Sequence, residues 1–450
     1  MMIKKWTDKR WVRTTLLLSA AILAVPAVNV VAEQLATKMP TAEIYKPSLQ
    51  PDRVILTWEG DTATTQAVTW RTDVNVTTPQ AQIALATDNS DFEDSAMTVP
   101  ADTTSELATY LNYSEKYHSV NFQNLSPETK YLYRVGDGVN WSEWFEFTTA
   151  SSEAEPFSFI YAGDAQNDIL EHWSRVIRNA YSDLPEASFI VHAGDLINHG
   201  DADDQWGEWF KAGGWLNGMV PSIATPGNHE YARISKDTPA GLTPYWRPTF
   251  ALPQNGPDEA LFKENVYYVD YQGMRIVSLD TNLRGENLDK QVTWLDQTLA
   301  NNSNKWTVLT FHHPIFSSAE GRDNAEVRNK LLPIIQKYNV DLVLQGHDHT
   351  YARGQVVNQN SGQKVVDNDS TTVFVNSVSG PKMYESSAAV WEKNGAQVDK
   401  AVANTQLYQL IHVDGDVLRY DARTATGKPF DAFEIKKLPN GKKQMTETMK

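Results

Sequence analysis

Hydrophobic and polar positions change their rhythm three times along the chain. An apolar run from Leu16 to Val28 follows Lys4, Lys5, Lys9, Arg10 and Arg13 and leads into the small residues Val30-Val31-Ala32. Spanning a bilayer takes about 20 apolar residues, and this run is shorter and broken by Pro26. Residues 1–32 therefore read as a cleavable signal peptide, which implies a secreted or periplasmic protein with no membrane association after cleavage. An uncleaved signal anchor is the competing reading. From Pro47 to Thr149 short apolar–polar alternations recur between turn residues, at Arg53–Trp58, Gln66–Thr72, Gln82–Thr87, Tyr117–Phe122, Lys130–Val135 and Glu143–Thr149. Even strand spacing without a helical period predicts an all-β sandwich over residues 46–150.

After Ser151-Ser152-Glu153 the rhythm alternates strand-like runs with helical segments near 169–181, 289–300 and 323–338. The last of these repeats Val327, Leu331, Leu332 and Ile335 on one face. Strands return at Thr372–Val378, Leu407–Val413 and Val417–Ala422, so residues 151–437 read as one α/β domain. Residues 438–450 read as a polar, lysine-rich tail that frays.

The apolar runs of this second domain end in a common way. Phe157–Ala162 leads into Gly163-Asp164, and Ser188–Ala193 into Gly194-Asp195. Val220–Pro226 leads into Gly227-Asn228-His229-Glu230, Trp306–Phe311 into His312-His313-Pro314, and Val340–Gln345 into Gly346-His347-Asp348-His349. Sites in α/β sheets lie beyond the carboxyl ends of strands, where these loops converge on one sheet edge. Carboxylates, an amide and imidazoles brought there are the donors of a metal site, and the glycine before each donor lets the backbone turn sharply. One Gly-Asp is commonly a turn and one His commonly a hydrogen-bonded core residue. Five such endings in order are not explained that way.

Composition narrows the chemistry. The 450 residues contain no cysteine, which excludes disulfides, thiolate metal sites and thiol catalysis. The formal charge of −16 argues against a nucleic-acid scaffold binder. Removing residues 1–32 leaves 35 basic against 55 acidic groups.

The ordered set Gly-Asp, Gly-Asp, Gly-Asn-His-Glu, His-x-Pro and Gly-His-x-His resembles that of the calcineurin-like metallophosphoesterases. In front of it, Leu125-Ser-Pro-Glu-Thr-Lys-Tyr131 resembles the tyrosine-corner turn of fibronectin type III domains. The combination is similar to the two-domain purple acid phosphatases over roughly residues 47–435. The resemblance implies a four-layer αββα sandwich preceded by a fibronectin III-like β-sandwich. It also implies two divalent or mixed-valence metal ions per chain. Asp195 would bridge them, Asp164 and His349 would complete one site, and Asn228, His312 and His347 the other. His229 would stay off the metals and face the leaving group; His313 would lie beside the site.

Two departures stand out. Where purple acid phosphatases have a metal-binding tyrosine three residues after the bridging Asp, this chain has Asn198. Where other members have a His two residues after the first Asp, it has Gln166. Gln166 is the expected substitute ligand, with Asn198 or His199 as alternatives. Fe, Mn, Zn, Mg and Ca are all compatible with such a set. Arg353, in Gly346-His-Asp-His-Thr-Tyr-Ala-Arg353, is a candidate phosphate contact or a partner of a neighbouring carboxylate. Glu230 is expected to hold the His229 ring or its loop. Trp206, Trp209, Trp215, Tyr245 and Trp246 are expected to pack over the sheet, with stacking on a substrate ring as the alternative. The expected activity is a phosphomonoesterase on small phosphoesters. The alternatives are a phosphodiesterase or nucleotidase on the same metals, or a metal-holding binding or adhesion protein without catalysis.

Overall fold

The computed structural model of the chain describes residues 39–358, 365–366 and 372–449. The leader expected at residues 1–32 lies outside them. No helix among the described residues is long and apolar enough to cross a membrane. Residues 39–46 contain a short helix, Thr41–Tyr45.

Eight strands form the N-terminal sandwich: β1 (Asp52–Thr57), β2 (Gln66–Asp73), β3 (Gln80–Leu85), β4 (Met97–Pro100), β5 (Thr103–Ala108), β6 (Ser114–Phe122), β7 (Lys130–Gly136) and β8 (Phe145–Thr148). They pair as two antiparallel sheets, β1-β2-β6-β5 and β4-β3-β7-β8. The two edge strands β4 and β5 lack a buried apolar face, so their sequence shows no clear alternation. Val54, Leu56, Val68, Trp70 and Val120 of the first sheet meet Ile83, Tyr133 and Val135 of the second. The Tyr131 hydroxyl accepts the Ser126 N–H, tying the turn to the strand that follows it.

The alternate residues of β1, β2 and β6 are buried too, against the second domain. Thr57 and Thr69 donate to the Ala251 and Thr249 carbonyls, and Arg53 pairs with Asp203. Residues 47–450 accordingly form one compact unit.

The second domain holds two facing sheets. The first runs β11 (Ser222–Ala224), β10 (Ile190–His192), β9 (Phe157–Ala162), β20 (Leu407–Asp414), β21 (Val417–Thr424), β22 (Pro429–Lys437), β23 (Lys443–Glu447). The second runs β12 (Tyr267–Tyr271), β13 (Met274–Leu279), β14 (Trp306–Phe311), β15 (Leu342–Gln345), β18 (Val373–Asn376), β16 (Tyr351–Asn358), β17 (Val365–Val366), with β19 (Ala396–Val402) also on β16. Period-two alternation sorts their side chains. Leu342 and Leu344 face the core shared with the first sheet, whereas Val343 faces Leu295, Leu331 and Ile335 of the helices Glu286–Ala300 and Ala325–Lys337. Helices Ser174–Asp183 and Asp203–Gly213 contribute Val176, Ile177, Trp206 and Trp209 to the first core. The result is an α/β sandwich of two facing sheets flanked by helices, behind a β domain.

Two expectations change. The strand ends do not share one sheet edge: β9, β10 and β11 belong to one sheet and β14 and β15 to the other, so the loops meet where both sheets end on the same side. The tail is not frayed across its length, because Lys443–Glu447 pairs with β22 as an edge strand. Lysines suit an unpaired edge, and here Met445 enters the core while Lys443 donates to the Asn339 and Val340 carbonyls and pairs with Asp341.

Candidate metal centre

The five strand-end loops bring Asp164, Gln166, Asp195, Asn228, His312, His347 and His349 together. Glycine is needed here for two separate reasons. Gly194 has φ +89°, and a Cβ there would lie 2.6 Å from the Gly227 nitrogen and 2.7 Å from His312 Nδ1. Gly227 and Gly346 have no such backbone requirement; a Cβ on either would overlap the carboxylate of Asp195 or Asp164 from a neighbouring loop. Positive φ falls instead on the donors themselves: Asp164 (34°), Asp195 (52°), His347 (75°) and His349 (42°). Such conformations cost about 1–3 kcal/mol each and cluster at functional sites, where packing enforces them.

Two groups share Asp195. In one, Asn228 Oδ1 lies 3.1 Å from His312 Nε2 and 2.9 Å from His347 Nδ1, and those two nitrogens are 3.2 Å apart. Asp195 Oδ2 is 3.1 Å from His312 Nε2. In the other, Asp164 Oδ1 is 3.6 Å from His349 Nε2, with Asp195 completing the cluster. Outer hydrogen bonds fix which ring atoms face inward. His312 Nδ1 donates to the Ala193 carbonyl and His349 Nδ1 to the Lys382 carbonyl, each at 2.9 Å, so both Nε2 atoms point into the cluster.

Charge is unbalanced within this buried group. Burial, with the Asp195 charge added, pushes the Asp164 carboxyl well above the usual carboxylate range despite His312. Burial works the same way on Asp195, but His312 and His229 outweigh it and hold that carboxyl below the range. Burial lowers His312, yet Asp195 pushes it up to about 9. Gln166 is fully buried, its Nε2 2.9 Å from Asp195 Oδ2 and 3.0 Å from His349 Nε2, while its Oε1 has no partner among the described residues. A half-turn of the amide would direct that orphaned oxygen at the same two groups, as a cation between Asp195 and His349 requires. The donor set therefore fits metal binding, with carboxylate, amide oxygen and imidazole suited to hard or borderline divalent ions.

His229 stands beside the cluster. Its backbone N–H donates to Asp195 Oδ1 (2.8 Å), its Nδ1 to the Asn198 carbonyl (2.6 Å), and its Nε2 lies 4.0 Å from Asp195 Oδ2. Glu230 holds the loops and not the ring: its carboxylate accepts the N–H groups of Asp195, Leu196 and Gly227. Asn198 contributes its backbone carbonyl, and both its N–H and that of His199 donate to Gln205 Oε1. Gln205 lies two residues into the helix whose first residue, Asp203, is gripped by Arg53, Arg71 and Tyr113 of the sandwich. The β-sandwich thus anchors the segment on which His229 rests.

His313 packs against His347, ring centroids 4.4 Å apart, with Nδ1 on the Thr281 hydroxyl. Arg353 is not a phosphate contact. Its side chain has no exposure and is enclosed by Asp431, Asp399 and Glu447. It lies on β16, where alternation puts it on the same strand face as Tyr351, and both side chains bond Asp431. Trp206, Trp209, Tyr245 and Trp246 are core residues; Trp215 is exposed and meets Tyr181 edge-on.

A sixth loop also borders the centre. Beyond β18, Ser379-Gly380-Pro381-Lys382 packs on the first donor loop, where the Gly380 N–H donates to the Asp164 carbonyl, and supplies the carbonyl that orients His349. The signal was present: the apolar run Thr372–Val378 also ends before a glycine.

Residues 51–149 match the purple acid phosphatase N-terminal domain, and residues 157–351 match the calcineurin-like phosphoesterase family. Purple acid phosphatase 21 of Arabidopsis thaliana is 29% identical over 253 residues, 54% of this chain and 55% of that one. Acid phosphatase type 7 of Danio rerio is 26% identical over 338 residues, 66% and 71%. An uncharacterized protein of Mycobacterium tuberculosis is 29% identical over 329 residues, and the matched region spans 60% of its length. Among solved structures, purple acid phosphatase from yellow lupin (Lupinus luteus) seeds superposes with a TM-score of 0.67 at 18% identity, covering 86% of this chain and 74% of that one. The structure of PhoD superposes with a TM-score of 0.61 at 12% identity, covering 92% and 94%. At these identities the structural matches establish the shared fold.

Proposed function

Since this chain belongs to the calcineurin-like phosphoesterases, with the purple acid phosphatase N-terminal domain in front, we propose that it is an exported, dinuclear-metal phosphomonoesterase acting on small phosphoesters. In this reading residues 1–32 are the signal, 46–150 the sandwich and 151–437 the catalytic domain. The observation that carries it is the sharing of Asp195 between two buried donor groups, with His229 beside them. Asp164, Gln166 and His349 would hold one ion, Asn228, His312 and His347 the other, and Asp195 both. The ions would supply Lewis-acid activation of the phosphoryl group and an acidified water.

The chain's own groups do the rest. Nδ1 of His229 is occupied by the Asn198 carbonyl, so Nε2 is the atom free to face the ester. As the phosphorus–oxygen bond breaks, its electron pair stays on the leaving oxygen, which takes the proton from His229 Nε2, while a hydroxide, formed when the attacking water has given its proton to solvent, makes the new bond to phosphorus. Glu230 keeps Asp195 and His229 in mutual register by bonding both loops.

With Asn198 in place of the family's tyrosine, the position that would supply a phenolate holds an amide, and the purified enzyme is expected to be colourless. The activity is tested by paired assays on p-nitrophenyl phosphate and bis(p-nitrophenyl) phosphate. The monoester is expected to be hydrolysed at least tenfold faster. Preference for the diester would make the chain a phosphodiesterase on the same donors, and inactivity of the metal-loaded protein on both would overturn the proposal.

A further inference from the structure

The backbone segment that meets His229 is steered by a side chain from a helix start. The helix Asp203–Gly213 follows Ala202, and Gln205 is its third residue. A glutamine at that position commonly reaches back to the N–H of the residue just before the helix. Here that N–H, of Ala202, already donates to the His199 carbonyl at 3.0 Å. The Gln205 side chain reaches further back, and its Oε1 accepts the N–H groups of Asn198 and His199, each at 2.9 Å. The second of these bonds bears on the chemistry. The His199 N–H and the Asn198 carbonyl belong to one planar trans peptide unit and point in opposite directions. Fixing the N–H on Gln205 therefore aims the carbonyl, and that carbonyl takes His229 Nδ1 at 2.6 Å. Donation by the N–H also polarises the carbonyl and strengthens its hold on the imidazole proton. The helix start is itself fixed: Arg53 reaches both the carboxylate and the main-chain carbonyl of Asp203, and the Tyr113 hydroxyl donates to the same carboxylate.

We propose that Gln205 is a positioning residue for proton delivery: by clamping the Asn198–His199 peptide it keeps one proton on His229 Nδ1, so that the proton given to the leaving group is carried at Nε2. This rests on the phosphatase reading above. Among the described residues no hydrogen bond joins the Gln205 side chain to His229 or to the seven donors, so it acts through the peptide alone. The two ring nitrogens are distinct, and the partner of one decides which form the other takes. Without the clamp the peptide is free to turn, and the ring is free to place its single proton on either nitrogen.

The test uses zinc-loaded full-length protein as wild type, Gln205→Met and Gln205→Glu. Nuclear magnetic resonance of protein carrying nitrogen-15-labelled histidine reads the neutral tautomer, with the His229 signals identified by their loss in His229→Gln. Wild type and Gln205→Glu, which keeps an acceptor of the same reach, are expected to show the Nδ1–H form of His229. In Gln205→Met the Nε2–H form should rise at least tenfold. In parallel, kcat of Gln205→Met on an alkyl phosphate should fall at least tenfold more than on p-nitrophenyl phosphate, with KM and zinc content unchanged. Gln205→Glu should stay within threefold of wild type on both esters. Loosened packing alone would lower the two esters alike. A folded Gln205→Met that keeps the wild-type tautomer, or that loses both esters equally, overturns the inference. A shifted tautomer in a protein whose wild type hydrolyses neither ester defeats the phosphatase reading and leaves the clamp standing.

Discussion

Asp195→Asn is expected to lower kcat/KM by about 10³-fold or more, beyond the 10–100-fold typical of losing a partner that only orients a metal ligand. One carboxylate serves both donor groups, with Oδ2 near His312 and Gln166 and Oδ1 accepting the His229 N–H. An amide in its place presents either one oxygen or an N–H to the cluster and removes the negative charge that offsets two cations. The fold should survive, because the segment is held through backbone N–H groups on Glu230 and the repulsion between Asp164 and Asp195 disappears. The measurement is turnover together with thermal unfolding, with and without added metal. Wild type should gain several degrees on metal addition, as binding to the native state alone requires, and the variant should lose most of that gain. Wild-type turnover in a folded Asp195→Asn variant would remove the bridging role.

His229→Gln is expected to reduce kcat by about 10²–10⁴-fold, the range for loss of a positioned general acid. Metal content should stay at the wild-type level, since the His229 side chain lies outside both donor groups and contacts Asp195 through its backbone. The deficit should follow the leaving group. An alkyl phosphate, whose alkoxide needs the proton, should suffer at least tenfold more than p-nitrophenyl phosphate, whose phenolate leaves without it. An equal deficit on both esters would assign His229 to positioning. A parallel loss of metal would assign it to the cluster.

Much of the site can be read from the sequence because each donor sits at the end of an apolar run, beside a glycine or a proline. That signal is local, and it survives without knowledge of the fold. What it misses depends on contacts between distant segments. Arg353 follows the last motif directly, yet its neighbours Asp399, Asp431 and Glu447 lie 46 to 94 residues further on, and strand alternation decides which side it takes. Gln205 and Asp203 hold nothing recognisable in the sequence; their role arises because Arg53, some 150 positions earlier, reaches the start of their helix. The polar positions of β1 and β2 were legible as alternation, but not that a second domain covers them. The terminal lysines read as solvent-exposed because the edge strand that uses them is defined by its partner β22. Even the glycines suggest only tight turning in the sequence, whereas at Gly227 and Gly346 the pressure comes from a carboxylate delivered by another loop.

The proposed reaction depends on a two-ion centre organised on Asp195. Its most direct test is titration of metal-stripped protein with a single divalent ion, counting bound equivalents while following p-nitrophenyl phosphate hydrolysis in the same samples. Two equivalents per chain, with activity rising as the second site fills, is the predicted result. Saturation at one equivalent with full activity, or undiminished activity in the stripped protein, would contradict it.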